Sequence, residues 1–168
     1  MKILKYSLDL YPKIELNIYL RFTLVIISFL WLMFNLMPLF PQAFSDFIFL
    51  FPYLHIMYSP VCHQELQKLI CNEFGCTFLC ARCTGIYAGV FIFSVVLLLK
   101  TSMPAYAIKY LFIAGIPIIV DVIASSISIY TYSKLAAFIT GTIFGSTAFY
   151  YFYIGIQNWF FEKKRQVV

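Results

Sequence analysis

The chain has 168 residues and a formal net charge of +5, and 62% of its residues are hydrophobic while only 11% are charged. A soluble domain of this length cannot bury so much apolar surface, so the composition excludes the soluble globular classes. It predicts one integral membrane domain with the lipid bilayer as its partner. The basic residues lie at the ends of apolar segments and not in one patch, which favours a role in membrane topology over nucleic-acid binding.

The first part of the chain is predicted to hold one membrane span followed by a cap. Residues 1–20 mix charged and apolar positions and predict an amphipathic arm at the membrane surface. The uncharged run that follows is long enough to cross a bilayer and predicts the first span at residues 22–42. Prolines and a histidine interrupt the next uncharged run, residues 47–64, so we expect a short interfacial or re-entrant helix there instead of a span. Residues 43–82 are predicted to form this helix and a Cys/His loop.

The second half of the chain predicts three further spans. Apolar runs with at most one charge place them at residues 83–99, 110–130 and 135–161, and a basic tail follows at residues 162–168. The expected fold is therefore all-α, an integral membrane bundle of four transmembrane helices in a single domain of residues 1–168. The short interfacial helix and the Cys-rich loop lie between spans one and two.

Small and charged residues inside the spans carry further predictions. Gly85 with Gly89, and Gly141 with Gly145, lie four residues apart on one helix face, a spacing that favours close approach of helices in lipid. Asp121 is the one charge within the third span, so it should face the bundle interior and be paired or protonated. A proton-relay or substrate-contact role and a structural hydrogen bond both remain open for it. Its candidate partners are Arg82, Lys134 and Tyr130.

The distribution of basic residues predicts the orientation in the membrane. With a cytoplasmic N-terminus, nine of the 12 basic residues lie inside and three outside, as the positive-inside rule requires. A fifth span over residues 47–64 would nearly abolish this asymmetry. We therefore expect a multi-pass protein of the inner (plasma) membrane with both termini in the cytoplasm and an extracytoplasmic Cys/His loop. The inner residues are Lys2, Lys5, Lys13, Arg21, Lys100, Lys109, Lys163, Lys164 and Arg165, and the outer ones are Lys68, Arg82 and Lys134.

The stretch from Ser59 to Gly89 holds all five cysteines and one of the two histidines. Within it, the Cys80-x-x-Cys83 unit puts two thiols within reach of one atom or of each other. A helix N-terminus at the start of the second span would stabilise a thiolate, and Arg82 adds positive charge. Because the thiolate is the form that binds metals and attacks disulfides, these cysteines are predicted to be reactive.

A metal site is the first chemical interpretation of this stretch. Cys62, His63, Cys80 and Cys83 supply three sulfurs and one imidazole, a donor set that suits zinc or iron. Neighbouring side chains usually point in different directions, so His63 has the alternative of acting in proton transfer while another cysteine completes the set. The candidates for that fourth ligand are Cys71 and Cys76, and those for residues that orient the ligands are Gln64, Arg82 and Thr84.

Thiol chemistry is the second interpretation, because extracytoplasmic cysteines tend to be oxidised. The architecture resembles that of quinone reductases of the vitamin K epoxide reductase type, with Cys80 and Cys83 as the redox pair and a quinone in the bundle. The catalytic candidates are then Cys80, Cys83 and Asp121. A non-enzymatic assembly or transport accessory protein is the third class. The sequence leaves open whether the protein is an enzyme and whether it forms a homo-oligomer.

Two motifs resemble a known family. Tyr58-Ser-Pro-Val-Cys-His-Gln64 followed by Cys80-Ala-Arg-Cys-Thr-Gly-Ile-Tyr87 is similar to the bacterial membrane proteins grouped as domain of unknown function 2085. The resemblance implies a small polytopic membrane protein without an established activity. It also implies a shared core that lacks Cys71 and Cys76, which favours a metal set over paired disulfides. The chain departs from the family pattern at Val122, where Gly is usual, and at Ala137, where Arg is usual.

Overall fold

A computed structural model of the protein describes residues 18–99, 109–127 and 131–166, with the backbone alone for residue 126 and residues 157–166. These parts contain five α-helices, three short 3₁₀ helices and one β-hairpin. The α-helices are α1 (Ile18–Leu36), α2 (Phe51–Tyr58), α3 (Ala81–Leu99), α4 (Lys109–Ser126) and α5 (Lys134–Gln166). The 3₁₀ helices are Met37–Leu39, Ser45–Leu50 and Leu66–Lys68, and the strands are β1 (Leu69–Cys71) and β2 (Cys76–Cys80).

Three of the described helical segments are long and apolar enough to cross a membrane. They are Ile18–Leu39, Ala81–Leu99 and Lys134–Ile156. Residues 18–20 of the predicted arm belong to α1, and residues 1–17 lie outside the described part of the chain. The predicted basic tail is helical up to Gln166, because α5 continues beyond its apolar portion.

The helix over the predicted first span begins at Ile18, before the predicted start at residue 22, where Arg21 was taken as a boundary charge. Arg21 instead lies inside α1 and is only 3% exposed. Its guanidinium donates to the carbonyl oxygen of Leu97 at 3.3 Å, in the last turn of α3. The side-chain oxygens of Ser28 and Ser94 are 3.0 Å apart and join the same two helices further along. The two helices thus run antiparallel, with the N-terminal end of α1 beside the C-terminal end of α3.

The helix over the predicted third span is shorter than expected. It runs over Lys109–Ser126 and contains Pro117, whereas the prediction extended to residue 130. Residues 128–130 lie outside the described part of the chain. Asp121 is buried and forms an ion pair with Arg82 in the first turn of α3. The C-terminal half of α4 therefore lies beside the N-terminal end of α3.

A β-hairpin between α2 and α3 corrects the all-α prediction. Strands β1 and β2 pair antiparallel, and the disulfide Cys71–Cys76 closes the turn between them. Asn72 folds this turn, because its side-chain oxygen accepts the backbone N–H of Gly75 at 2.9 Å. Its side-chain amide also donates to the carbonyl oxygen of Leu39 at 2.8 Å, which fixes the hairpin to the 3₁₀ helix that follows α1.

The hairpin covers a small aromatic core at this end of the bundle. Tyr58 of α2 is buried and stacks on Phe78 of β2, with 5.9 Å between the ring centroids. The Tyr58 hydroxyl donates to the carbonyl oxygen of Trp31 at 2.7 Å. Leu79 and Met37 are buried in the same cluster. Strand β2, α1 and α2 therefore form one packed unit that leads directly into α3.

The glycine pairs lie at the contact between α3 and α5, so the predicted close approach of these helices is confirmed. A Cβ atom at Gly85, Gly89, Gly141 or Gly145 would collide with the backbone of the opposite helix. Ser146 adds a hydrogen bond across this contact, donating to the carbonyl oxygen of Gly89 at 3.1 Å. The backbone atoms that would meet the four Cβ positions belong to Phe138, Thr142, Arg82 and Ile86, respectively.

Candidate metal centre

Three of the predicted ligands meet at one point. The sulfur atoms of Cys62, Cys80 and Cys83 all lie within 4.8 Å of one another. Tetrahedral zinc with Zn–S bonds of about 2.3 Å sets sulfur atoms about 3.8 Å apart. A contraction of at most about 1 Å would thus bring the cluster to the spacing of a bound ion.

Separate elements deliver the three sulfurs. Cys62 follows α2, and its backbone N–H donates to the carbonyl oxygen of Tyr58 at 3.2 Å, so the end of α2 fixes its position. Cys80 is the last residue of β2, and its backbone N–H points at the sulfur of Cys62, 3.3 Å away. The Cys83 thiol lies 3.8 Å from the carbonyl oxygen of Val61. Cys62 is buried, whereas Cys80 and Cys83 are partly exposed.

The electrostatics of the cluster favour a thiolate at Cys80. Hydrogen bonding from the Cys83 thiol lowers the pKa of Cys80 to about 5, against the opposing effect of burial. Backbone N–H groups of Cys83 and Arg82 in the first turn of α3 contribute in the same direction. Cys80 thus occupies the capping position of a helix N-terminus, where negative charge is stabilised.

His63 does not join the three sulfurs. The His63 side chain is exposed, whereas the adjacent Cys62 is only 7% exposed, so the two neighbours point in different directions. Both residues border an open cleft of about 320 Å³, which Cys80 and Cys83 also line. The His63 imidazole therefore lies near the cluster but not within the 4.8 Å that the three sulfurs share.

The alternative fourth ligands are excluded by a covalent bond. Cys71 and Cys76 form a disulfide with each other, which leaves no thiolate for a metal. They lie at the turn of the hairpin, whereas the three free cysteines lie at its far end. As disulfide-bonded residues, neither Cys71 nor Cys76 can serve as the fourth ligand that was considered from the sequence.

Two of the residues expected to orient the ligands form hydrogen bonds elsewhere. Gln64 has a positive φ of 52°, and its side-chain amide donates to the carbonyl oxygen of His55 at 2.9 Å. Thr84 donates through its hydroxyl to the carbonyl oxygen of Leu79 at 3.2 Å. Gln64 thus fixes the loop after Cys62, while Thr84 joins α3 to the end of β2.

Arg82 links the cysteine cluster to α4. The side chain lines the cleft and pairs with the buried carboxylate of Asp121, which accounts for a charge within the third predicted span. The Arg82 guanidinium also lies 5.8 Å from the centre of the Tyr132 ring. Burial raises the pKa of Tyr132 to about 12. Sequence reasoning missed Tyr132, because a tyrosine beside a span is usually an interface residue.

Asn35 is a second residue that the sequence analysis missed. It is completely buried near the end of α1. Its side-chain oxygen accepts the backbone N–H of Leu79 at 2.7 Å, and its amide donates to the Thr84 hydroxyl at 3.1 Å. The two partners flank the Cys80-x-x-Cys83 unit on either side. The available signal was a lone amide inside an apolar run, which in a membrane helix indicates a polar partner.

Comparison with known proteins shows that the region containing this site matches a protein family. A family model described as "Predicted membrane protein (DUF2085)" matches residues 62–151, more than half of the chain. The chain belongs to this family. The family region begins at Cys62 and includes the three clustered cysteines, Arg82 and Asp121, but not Asn35. The resemblance drawn from the two motifs is confirmed at the level of the family.

One curated relative extends this comparison. An uncharacterized protein of Methanocaldococcus jannaschii is 34% identical over 101 residues, which cover 58% of this chain and 65% of that protein. The match thus spans slightly less than two thirds of the relative's length. No solved structure matches the chain significantly.

Proposed function

We propose that this protein is a multi-pass membrane protein that binds one transition-metal ion, zinc or iron, at its extracytoplasmic face. The observation that carries the proposal is the convergence of the Cys62, Cys80 and Cys83 sulfurs within 4.8 Å of one another. Three thiolates form a soft donor set that suits either ion. His63 borders the same cleft without lying among the sulfurs, so we do not include it in the ligand set.

The membrane arrangement that supports this assignment has four spans. Helix α4 is the additional span beside the three candidate spans. Its 18 residues extend over about 27 Å, close to the thickness of a bilayer core. The ion pair between Asp121 and Arg82 brings the C-terminal half of α4 to the cysteine end of the bundle, as a span antiparallel to α3 requires.

The short helix α2 supports an interfacial cap over the outer end. Its eight residues extend over only about 12 Å, too short to cross a bilayer. Tyr53, Ile56 and Met57 are exposed on its surface, as expected for a helix that lies against lipid. With nine of the 12 basic residues on the opposite side, the cysteine cluster faces outward and both termini lie in the cytoplasm of an inner-membrane protein.

Metal analysis of the detergent-purified full chain tests the proposal. We expect about one zinc or iron ion per chain in the wild type and its loss in Cys80→Ser. The matched control is the double variant Cys71→Ser and Cys76→Ser, which removes two sulfurs outside the cluster and should retain the ion. Equal metal content in wild type and Cys80→Ser would contradict the proposal.

Thiol–disulfide exchange is the second candidate, favoured by one specific observation. Cys80 caps the N-terminus of α3 and lies in hydrogen-bonding range of the Cys83 thiol, the arrangement of a reactive Cys-x-x-Cys pair. In this function the two thiols are oxidised to a disulfide, and a quinone accepts two electrons and two protons to become a quinol. Alkylation of Cys80 and Cys83 before and after quinone addition distinguishes the candidates, because a metal-binding protein shows no quinone-dependent loss of thiols.

A further inference from the structure

The metal ion proposed above has room for an additional ligand. We propose that an ion held by Cys62, Cys80 and Cys83 keeps one coordination position open to the outer cleft, where a small neutral donor from the external medium binds and exchanges. This inference rests on the proposed function. It separates a site with an exchangeable ligand from a purely structural one, because structural zinc sites are closed by four protein ligands.

The donor atoms present at the cluster support an incomplete protein ligand set. Among the described residues, no fourth His, Cys, Asp or Glu side chain lies within the spacing shared by the three sulfurs. Cys71 and Cys76 are unavailable because they form a disulfide with each other. Zinc usually has four ligands, and three protein ligands with one exchangeable position are the pattern of reactive zinc sites.

The loop around His63 explains why this residue does not complete the set. Before it, the Cys62 backbone N–H donates to the carbonyl oxygen of Tyr58 at 3.2 Å. After it, the Gln64 side chain donates to the carbonyl oxygen of His55 at 2.9 Å, with Gln64 itself in the left-handed region. Both neighbours of His63 are therefore fixed to α2. Since Cys62 points inward, this anchored loop directs His63 outward.

The cleft supplies access to the open position. It has a volume of about 320 Å³, opens to the outside and is bordered by all three cysteines. A water molecule occupies about 30 Å³ of liquid, so the cleft has space for several waters or for one small ligand. Cys80 and Cys83 are partly exposed, which turns the uncovered side of the cluster towards this space.

The charges around the cleft favour a neutral donor. Three thiolates around a divalent ion leave a net negative charge, which repels anions. The two cationic side chains of the cleft do not offset this charge, because Lys68 pairs with Glu65 at 2.6 Å and Arg82 pairs with Asp121. The expected ligands are therefore water and small neutral nitrogen, oxygen or sulfur donors.

Cobalt substitution with imidazole as the probe tests this inference. The full chain in detergent is loaded with Co²⁺, and imidazole is titrated against the wild type and against His63→Ala. We expect a saturable shift of the visible cobalt bands in both proteins with the same half-saturation. The thiolate-to-cobalt charge-transfer band should keep its intensity, because the three sulfurs stay bound.

The other outcomes distinguish failure of the open coordination position from failure of the metal site itself. No shift in the wild type would overturn the open position, and a shift that appears only in His63→Ala would identify His63 as the fourth ligand. A loss of charge-transfer intensity during the titration would also overturn it, since imidazole would then be displacing a thiolate. Absence of the charge-transfer band before imidazole is added would instead overturn the metal site itself, together with this inference.

Discussion

The five cysteines form two groups with different surroundings, although one short stretch of sequence holds them all. Cys71 and Cys76 are joined at the turn of the hairpin, where their disulfide closes a local loop. The other three are free thiols at the junction of a loop, a strand and the first turn of α3. Cysteine spacing in the sequence does not by itself determine which cysteines form the disulfide and which remain free thiols. The difference arises because only the second group receives a sulfur from 18 residues upstream and the N–H groups of a helix terminus.

The largest expected effect comes from removing the sulfur that a separate segment contributes. Cys62→Ser should lower metal affinity by more than about 100-fold, because loss of an outer partner of a ligand already costs about 10- to 100-fold. The quantity to measure is the dissociation constant of Co²⁺ or Zn²⁺ in competition with a chelator of known affinity. An unchanged constant would show that Cys80 and Cys83 bind the ion without Cys62.

A smaller effect on the same cluster is expected from Asn35. Asn35→Leu removes both hydrogen bonds to the residues that flank Cys80 and Cys83, so we expect metal affinity to fall by about 10-fold or more. Asn35→Asp keeps an acceptor for the Leu79 N–H and should lose less. The measurement is the same chelator competition, combined with the cobalt spectrum, which reports distortion of the sulfur geometry.

Ser28→Ala is the matched control for this substitution. Ser28 is also a buried polar residue of α1 that bonds to α3, but its partner is Ser94, in the opposite half of that helix. We expect a similar loss of stability without a change in metal affinity. If Ser28→Ala and Asn35→Leu change affinity equally, the effect belongs to general packing of α1 and not to positioning of the cysteines.

Much of the helical framework was predictable because its signals are local. Apolar length indicated the long helices, and the four-residue glycine spacing indicated a close approach of helices without indicating which helices meet. The hairpin was missed because β1 has only three residues and the five residues of β2 do not alternate between polar and apolar. Its formation depends on the Asn72 turn and on a contact with Leu39, which lies far away in sequence.

The candidate site was predictable in its residue types but not in its geometry. The sequence indicated Cys62, Cys80 and Cys83 and also the divergence expected between Cys62 and His63. It did not indicate Asn35 as their support, since both partners of this amide come from other elements. The choice of Arg82 among the possible partners of Asp121 likewise depends on how α4 packs.

Removing the other cysteine pair should affect stability and leave the metal site intact. The double variant Cys71→Ser and Cys76→Ser opens a loop of a few residues, so we expect about 2 kcal/mol less stability. Chelator competition should give the wild-type metal affinity. A parallel loss of metal would mean that the hairpin turn and the cluster form one unit, which would remove the contrast between the two groups.

The smallest expected effect is a pH shift in the reactivity of Cys80 in the metal-free protein. Because the Cys83 thiol and the first turn of α3 lower the pKa of Cys80 to about 5, its alkylation rate should stay nearly constant from about pH 8 to about pH 6. An ordinary thiol with a pKa near 8.5 loses reactivity throughout that range. Site-resolved mass spectrometry after timed iodoacetamide treatment measures the rate at Cys80.

The direction of this shift also predicts the pH dependence of folding. A pKa lowered in the folded state stabilises the metal-free protein fully above the unfolded thiol value of about 8.5, and this contribution disappears as the pH falls through about 5.

Cys83→Ala removes the main hydrogen-bond donor and should move the alkylation midpoint of Cys80 upward. Cys83→Ser keeps a donor and should restore part of the shift. If both variants retain the wild-type midpoint, the helix terminus alone stabilises the thiolate, and the two thiols do not act as a pair.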